Sequence, residues 1–290
     1  MKTGPNDEVC VVAVDVGNSA VKLAVQHGSV KSGGSRSNLP DEIGSNAQQE
    51  SVIVDHSIEI GSTGWELSVI GWVRDQLGCD DTLWRIASVH RSATSQLEHA
   101  ISRSQLSAKV QLVTHRDVPM LADVDHPDRL GIDRLLGAYA AFNRKKTALV
   151  VIDAGSAVTV DWVNQQGHFC GGAILPGLGL QSRSLVMGTE ALPQVEWNPE
   201  APMPLPAKNT SDAIRGGIIA GVAGSIDGLI RRYKEGAGLQ SNEFAVVVTG
   251  GDSPTLSPHL CNNHVVLPNL VCRGLLDLPK SILDQPNTLD

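Results

Sequence analysis

Five charged side chains stand where their neighbours would let them do chemistry: Asp15, Lys22, Asp133, Arg134 and Asp153. Asp15 ends the apolar run Val9 to Val14 and is followed by Val16, Gly17, Asn18, Ser19 and Ala20; Val21 to Val25 then resumes the apolar pattern, with Lys22 projecting from it. A carboxylate at the end of a strand can hold a Mg²⁺ ion that carries phosphates. A glycine in the turn lets the backbone approach a ligand, and the amides there can cradle a phosphate. The same residue types also make an ordinary hairpin turn. Asp133 and Arg134 follow Gly131 and Ile132 in the first turn of an expected helix from Leu130 to Phe142. The helix dipole favours a carboxylate there, so Asp133 could simply cap. A cation at that end is unfavourable unless it meets a partner or an anionic ligand. The adjacent acid and base therefore mark a candidate site.

The first of these stretches has a second copy. Ala148 to Trp162 again runs from an apolar strand into Asp-x-Gly, small polar residues and a second strand. Asp15 matches Asp153, Gly17 matches Gly155, and Asn18 matches Ser156. A repeat of this kind sets the architecture. It predicts a duplicated α/β domain whose two turns face one nucleotide in a cleft.

The elements that must position these residues alternate as in an α/β layer. After the opening hairpin, Val30 to Glu50 is rich in Gly, Ser, Asn and Gln and reads as a loop. Ser51 to Ile60 returns to strand, and Trp65 to Leu77 has helical apolar spacing with Trp72 in the core. Thr82 to Val89 reads as a buried strand, Ser92 to Ser104 as a helix capped by Ser92, and Lys109 to Thr114 as a strand. Beyond the second hairpin, His168 to Gly177 is glycine-rich and precedes a helix from Gly179 to Ala191. Asn209 to Ile230 reads as a long helix of small residues, capped by Thr210 or Ser211. Its glycines cost about 1 kcal/mol each against alanine, which implies close approach by another element, either within the chain or from a second subunit. Phe244 to Thr249 is a strand ending in Gly250-Gly251, followed by a last strand at His264 to Leu267 and a closing helix at Leu270 to Leu278.

Composition narrows the classes. The chain has 290 residues, with 41% hydrophobic and 19% charged, an ordinary globular balance. Aromatics at 3% and a net charge of −8 disfavour a nucleic-acid partner. Five scattered cysteines without a Cys-x-x-Cys pair read as reduced thiols. No signal peptide and no bilayer-spanning apolar run is visible, so the expected location is the cytoplasm, away from the membrane.

In order along the chain, Asp15-Val-Gly-Asn-Ser-Ala-Val-Lys22, Gly131-Ile-Asp-Arg134, Asp153 to Asp161, Gly171-Gly-Ala-Ile-Leu-Pro-Gly177, Lys208-Asn-Thr210 and Thr249-Gly-Gly251 closely resemble the type III pantothenate kinase family. That family sits in the acetate and sugar kinase/Hsp70/actin superfamily. The resemblance implies duplicated actin-like/ribonuclease H-like domains, 1–130 and 131–290, with an interdomain ATP cleft. It implies transfer of a phosphoryl group from ATP to the terminal hydroxyl of pantothenate, the first step of coenzyme A synthesis. Residues 15 to 22 would be the ATP phosphate loop, with Asp15 near Mg²⁺, and Ser156 would contact ATP phosphate. Asp133 would be the general base. Gly131, Ile132, Asp133 and Arg134 would hold pantothenate. Asp153 would bind a monovalent cation, K⁺ or NH₄⁺. Thr210 would reach pantothenate across a homodimer interface. One departure is Val124, at a position where the family usually has a substrate-contacting Tyr. The alternatives are a non-catalytic regulator on the same scaffold and a superfamily kinase acting on another hydroxyl.

Overall fold

The computed structural model describes residues 10–26, 53–77, 81–198, 204–240 and 243–279. The expected loop from Val30 to Glu50 lies outside them. The chain divides into two compact units, Met1–Ile86 with His90–Leu112, and Ala87–Val89 with Val113–Asp290.

In the first unit, β1 (Cys10–Val16), β2 (Ala20–Gln26) and β3 (Ile53–Glu59) form an antiparallel meander, with β4 (Asp81–Ser88) and β5 (Ser107–Leu112) as a parallel pair beyond β1. The sheet order is β3-β2-β1-β4-β5. Helices α1 (Trp65–Gln76) and α2 (Arg91–Arg103) supply the crossovers. Val12, Val14, Val16, Val21, Leu23 and Val25 all sit on one face by the period of two and pack with Trp65, Val69, Val73, Leu97 and Ile101. Trp72 is half-buried against this core and stacks on His56 at 5.6 Å. The α2 cap is His90, whose ring accepts from the Ala93 amide; the cap expected at Ser92 is two residues too far in.

The second unit repeats the plan. Helix α3 (Ile132–Lys145) leads into β6 (Ala148–Ala154), β7 (Ala157–Val163) and β8 (Phe169–Pro176), again an antiparallel meander. Next come α4 (Leu178–Gly188), α5 (Thr210–Ala237), β9 (Phe244–Thr249), the short α6 (Ser253–Leu256), β10 (Val265–Val266) and α7 (Leu270–Asp277). The sheet order β10-β9-β6-β7-β8 is that of the first sheet, strand for strand. The duplication visible in two Asp-x-Gly turns therefore extends to a complete five-stranded layer.

Residues Val113 to Leu130 cluster with the second unit, ahead of the boundary expected at 130. The backbone holds them there: Asp123 N donates to Phe169 O (2.8 Å) and Phe169 N to Leu121 O (2.9 Å). A stretch without periodicity of its own is recruited by the edge of β8.

Helix α5 begins at Asn209, whose side chain accepts from the Asp212 amide. This cap, worth about 1 kcal/mol, places Thr210 at the first helical position rather than at the cap. The helix buries Ile214, Ile218, Val222, Ile226 and Ile230, spaced by four, against Val150, Ile152, Val158 and Val160. It is also the one helix among the described residues long and apolar enough to cross a membrane, with mean hydropathy 1.4. That corrects the reading that no run reaches such a length. Small residues raise its hydropathy without a continuous bulky apolar surface, and its Ile/Val stripe belongs to the core.

Cys10 is disulfide-bonded, whereas Cys170, Cys261 and Cys272 are free. The expectation of reduced thiols holds at Cys170, Cys261 and Cys272 and not at Cys10. Cys79 lies outside the described residues.

Candidate active site

Each Asp-x-Gly turn closes a hairpin whose apolar face is committed to the core. In the first unit Asp15 and Lys22 are direct cross-strand partners. They lie on the face opposite the Val12–Val14–Val16 stripe, so acid and base share one side of the sheet. Asp15 is 7% exposed. Gly17 N donates to Ala20 O at 3.0 Å, which closes the turn and leaves Asn18 and Ser19 exposed. The second turn is one residue shorter: Val16 pairs with Val21, but Ala154 pairs with Val158. The residue opposite Asp153 is consequently Thr159, not a lysine.

Glycines make the second turn possible. Gly250 follows β9, the parallel neighbour of β6, with φ +95°. A Cβ at Gly250 would fall 2.5 Å from Asp153 Oδ1 and still closer to Ala154 O. A Cβ at Gly177 would strike Gly155 O and lie 2.6 Å from Ser156 O. The Gly171–Gly177 and Thr249–Gly251 motifs, far apart in sequence, thus converge on the turn that carries Asp153 and Ser156. The Asp252 amide donates to Ala154 O at 2.9 Å and holds that convergence.

The Gly131–Arg134 element opens α3. Gly131 is the N-cap, without a side-chain cap. A Cβ there would lie 2.5 Å from Asp133 Oδ1, so glycine leaves room for the carboxylate to fold back. Asp133 Oδ1 accepts from the Arg134 amide at 2.9 Å. Among the described residues Oδ2 has no hydrogen-bond donor. Asp133 therefore satisfies one orphan amide of the helix with a single oxygen.

Arg134 has the partner that its position demands. Its Nε and Nη2 donate to Asp161 Oδ1 at 3.0 and 2.5 Å. Its guanidinium carbon lies 5.5 Å from the centre of the Phe169 ring. Asp161 Oδ2 accepts from Thr159 Oγ1 at 3.1 Å. Burial pushes the Asp161 carboxyl above the usual carboxylate range, against the opposing pull of Arg134. Asp161 lies in a motif visible in the sequence, but its role was not. The available signal was the cation at a helix N-terminus, which required an acid somewhere. Asp153, Thr159 and Asp161 share one face of the second sheet by register and alternation, and α3 packs on that face. Val124 lies beside Gly171, whose Cβ would be 3.9 Å from Val124 Cγ1. Thr210 is exposed at the start of α5, which covers the opposite face of the sheet from α3. The residues Asp133, Arg134 and Asp161 are brought together; Thr210 of the same chain is not seen to join them.

The duplicated α/β layers with carboxylate-bearing turns define the acetate and sugar kinase/Hsp70/actin fold. A solved structure from Campylobacter jejuni, named for the Baf family of transcriptional activators, matches with a TM-score of 0.51 at 17% identity, covering 96% of this chain and 100% of that one. This is a likeness of fold. Residues 11–232 match the type III pantothenate kinase family profile. A type III pantothenate kinase of Rhodopirellula baltica is 38% identical over 281 residues, 92% of this chain and 97% of the relative. One from Geotalea uraniireducens is 30% identical over 273 residues, 91% and 96% of the two chains. The chain belongs to the type III pantothenate kinase family.

Proposed function

We propose that this chain transfers the γ-phosphoryl group of ATP to the terminal hydroxyl of pantothenate, opening coenzyme A biosynthesis, with Asp133 as the general base. The observation that carries the residue assignment is the first turn of α3: a carboxylate oxygen without a donor among the described residues, next to a guanidinium fixed by a buried acid. Phosphoryl transfer asks mainly for positioning and charge neutralisation, with one carboxylate to orient the hydroxyl and take its proton. In the first unit, residues 15 to 22 take the ATP phosphates, with Lys22 as a cation and Asp15 as the carboxylate for Mg²⁺. A single carboxylate is compatible with that ion, which usually keeps waters and nucleotide phosphates as its other ligands. In the second unit, Ser156 meets ATP phosphate, and Gly131 to Arg134 hold pantothenate with Val124 nearby.

Asp153 is assigned the monovalent cation, K⁺ or NH₄⁺. Its carboxylate lies at a strand end packed against the Gly250 backbone, a setting of hard oxygen donors. Replacing K⁺ and NH₄⁺ with Na⁺ is expected to lower kcat at least about tenfold, an effect of one charge-stabilising contact; equal rates in all three salts would remove Asp153 from this role.

A homodimer is part of the reading. Gly217, Gly221 and Gly224 are exposed on α5, and a Cβ at each would meet nothing within 4 Å. Among the described residues, close packing inside the chain does not call for them. Beside them runs a groove of about 610 Å³, lined by Leu175, Leu185, Gly217, Ile218 and Gly221 among others. A second copy seated on this face would use the glycines for close approach and could bring its own Thr210 to pantothenate. Gly221→Leu should strengthen the isolated helix by about 1 kcal/mol yet shift the protein toward monomer in sedimentation. An unchanged dimer would move the interface elsewhere. The location assigned with this reading is the cytoplasm.

The deciding experiment is ADP release with purified protein, ATP, Mg²⁺ and K⁺, with and without pantothenate. Pantothenate-dependent release establishes reaction and substrate together. ATP binding without it would favour another hydroxyl substrate or a regulatory role.

A further inference from the structure

The Arg134 guanidinium is held along one edge only. Nε and Nη2 both donate to Asp161 Oδ1, while Nη1 has no acceptor among the described residues. The plane is fixed from below by Phe169. The acid that holds it is itself immobile: Asp161 is 1% exposed, its second oxygen is engaged by Thr159, and Gly172 opposite it has no room for a Cβ, which would strike Asp161 Oδ1. A fork anchored on one side by a buried carboxylate presents its remaining N–H groups in a defined direction, which suits a second, incoming carboxylate.

We propose that Asp161 is a positioning residue for substrate recognition, holding the Arg134 guanidinium so that its free Nη1 edge receives the carboxylate of pantothenate. The proposal rests on the assignment of Arg134 to pantothenate and adds to it the residue through which Arg134 is aimed and the substrate group it reads. The charged and titratable groups around the Asp161 carboxyl are Arg134 and Asp133 from α3 and Tyr233 from α5. Ionised, the carboxylate holds both guanidinium bonds with charge assistance, which protonation removes. Because burial raises its pKa, protonation begins at a higher pH than for an ordinary aspartate, and aiming is lost as the pH falls through that range.

The test is steady-state kinetics with pantothenate and with its neutral analogue, in which a primary alcohol replaces the carboxylate. Asp161→Asn is expected to raise KM for pantothenate about 10- to 100-fold, the size of a lost charge-assisted contact. Its kcat and its KM for ATP should stay within about threefold, since neither reads the pantothenate carboxylate. KM for the neutral analogue should not change. In the wild type, KM for pantothenate should rise toward acid pH, and this limb should be missing in the variant. Thr159→Val keeps every charge and should move KM for pantothenate in the same direction by about two- to fivefold; it decides the matter where Asp161→Asn does not fold. Equal losses for both substrates, or a fall in kcat alone, would show a merely structural residue and overturn the proposal. So would normal pantothenate kinetics in both variants while Arg134→Gln is impaired, which leaves Arg134 itself in place. Normal pantothenate KM in Arg134→Gln would instead overturn the assignment of Arg134 to the substrate.

Discussion

Asp133→Asn should lower kcat by about 10²- to 10⁴-fold, the usual worth of a positioned general base, while ATP binding stays near the wild-type level. The asparagine keeps the shape and the acceptor for the Arg134 amide. It loses the basic oxygen that would take the hydroxyl proton. The start of α3 should therefore survive, with the same thermal midpoint, and the loss should appear in kcat rather than in stability. Single-turnover phosphorylation and nucleotide titration on the same preparation check both halves. A variant that turns over within a few-fold of the wild type would remove Asp133 as base and direct attention to charge neutralisation alone.

Gly250→Ala should be the most damaging single methyl in the second unit. Two independent costs coincide there. The backbone is at φ +95°, where a side chain is strained. The added Cβ would also collide with Ala154 O and approach Asp153 Oδ1 to 2.5 Å. The backbone atoms at that contact belong to the middle strand of the sheet and are tied to Asp252, so neither side yields cheaply. A destabilisation of about 3 kcal/mol is expected from strain plus overpacking, or about 6–12 °C in Tm for a unit of this size. Any residual folded protein should show weakened monovalent-cation dependence, because the displaced neighbour is Asp153. Differential scanning calorimetry measures the first effect and a cation titration the second. A Tm within about 1 °C of the wild type would mean that the turn has more freedom than its packing allows.

The hairpins, the order of helices and strands, and the duplication were legible because each rests on local pattern. Apolar residues at alternate positions, such as Val12, Val14 and Val16, can bury one face only as a strand. Asp-x-Gly at the end of such a run then has to be a turn. The need of Arg134 for a partner was legible for a different reason, a cation in a helix first turn being out of place by itself. The caps were read one or two residues off at His90 and Asn209, because several polar residues compete at each helix start and the flanking backbone selects among them. The allegiance of Val113 to Leu130 had no local signal at all, since it depends on hydrogen bonds to the β8 edge.

The sequence by itself determined the class of chemistry: acids at the ends of apolar strands, a repeated glycine turn, an Arg beside an Asp at a helix start, all in a family order. Those are properties of neighbours along the chain, and neighbours are written in the sequence. Only the tertiary structure decided which acid answers Arg134, which glycines guard Asp153, and that a Cβ at Gly217, Gly221 or Gly224 on α5 would meet nothing within 4 Å among the described residues. Each of these joins residues separated by tens of positions, and the strand register and the packing of a helix on a sheet bring them within contact distance. The energy of a contact falls off within a few ångströms, so spacing along the chain carries no record of it until the fold has closed.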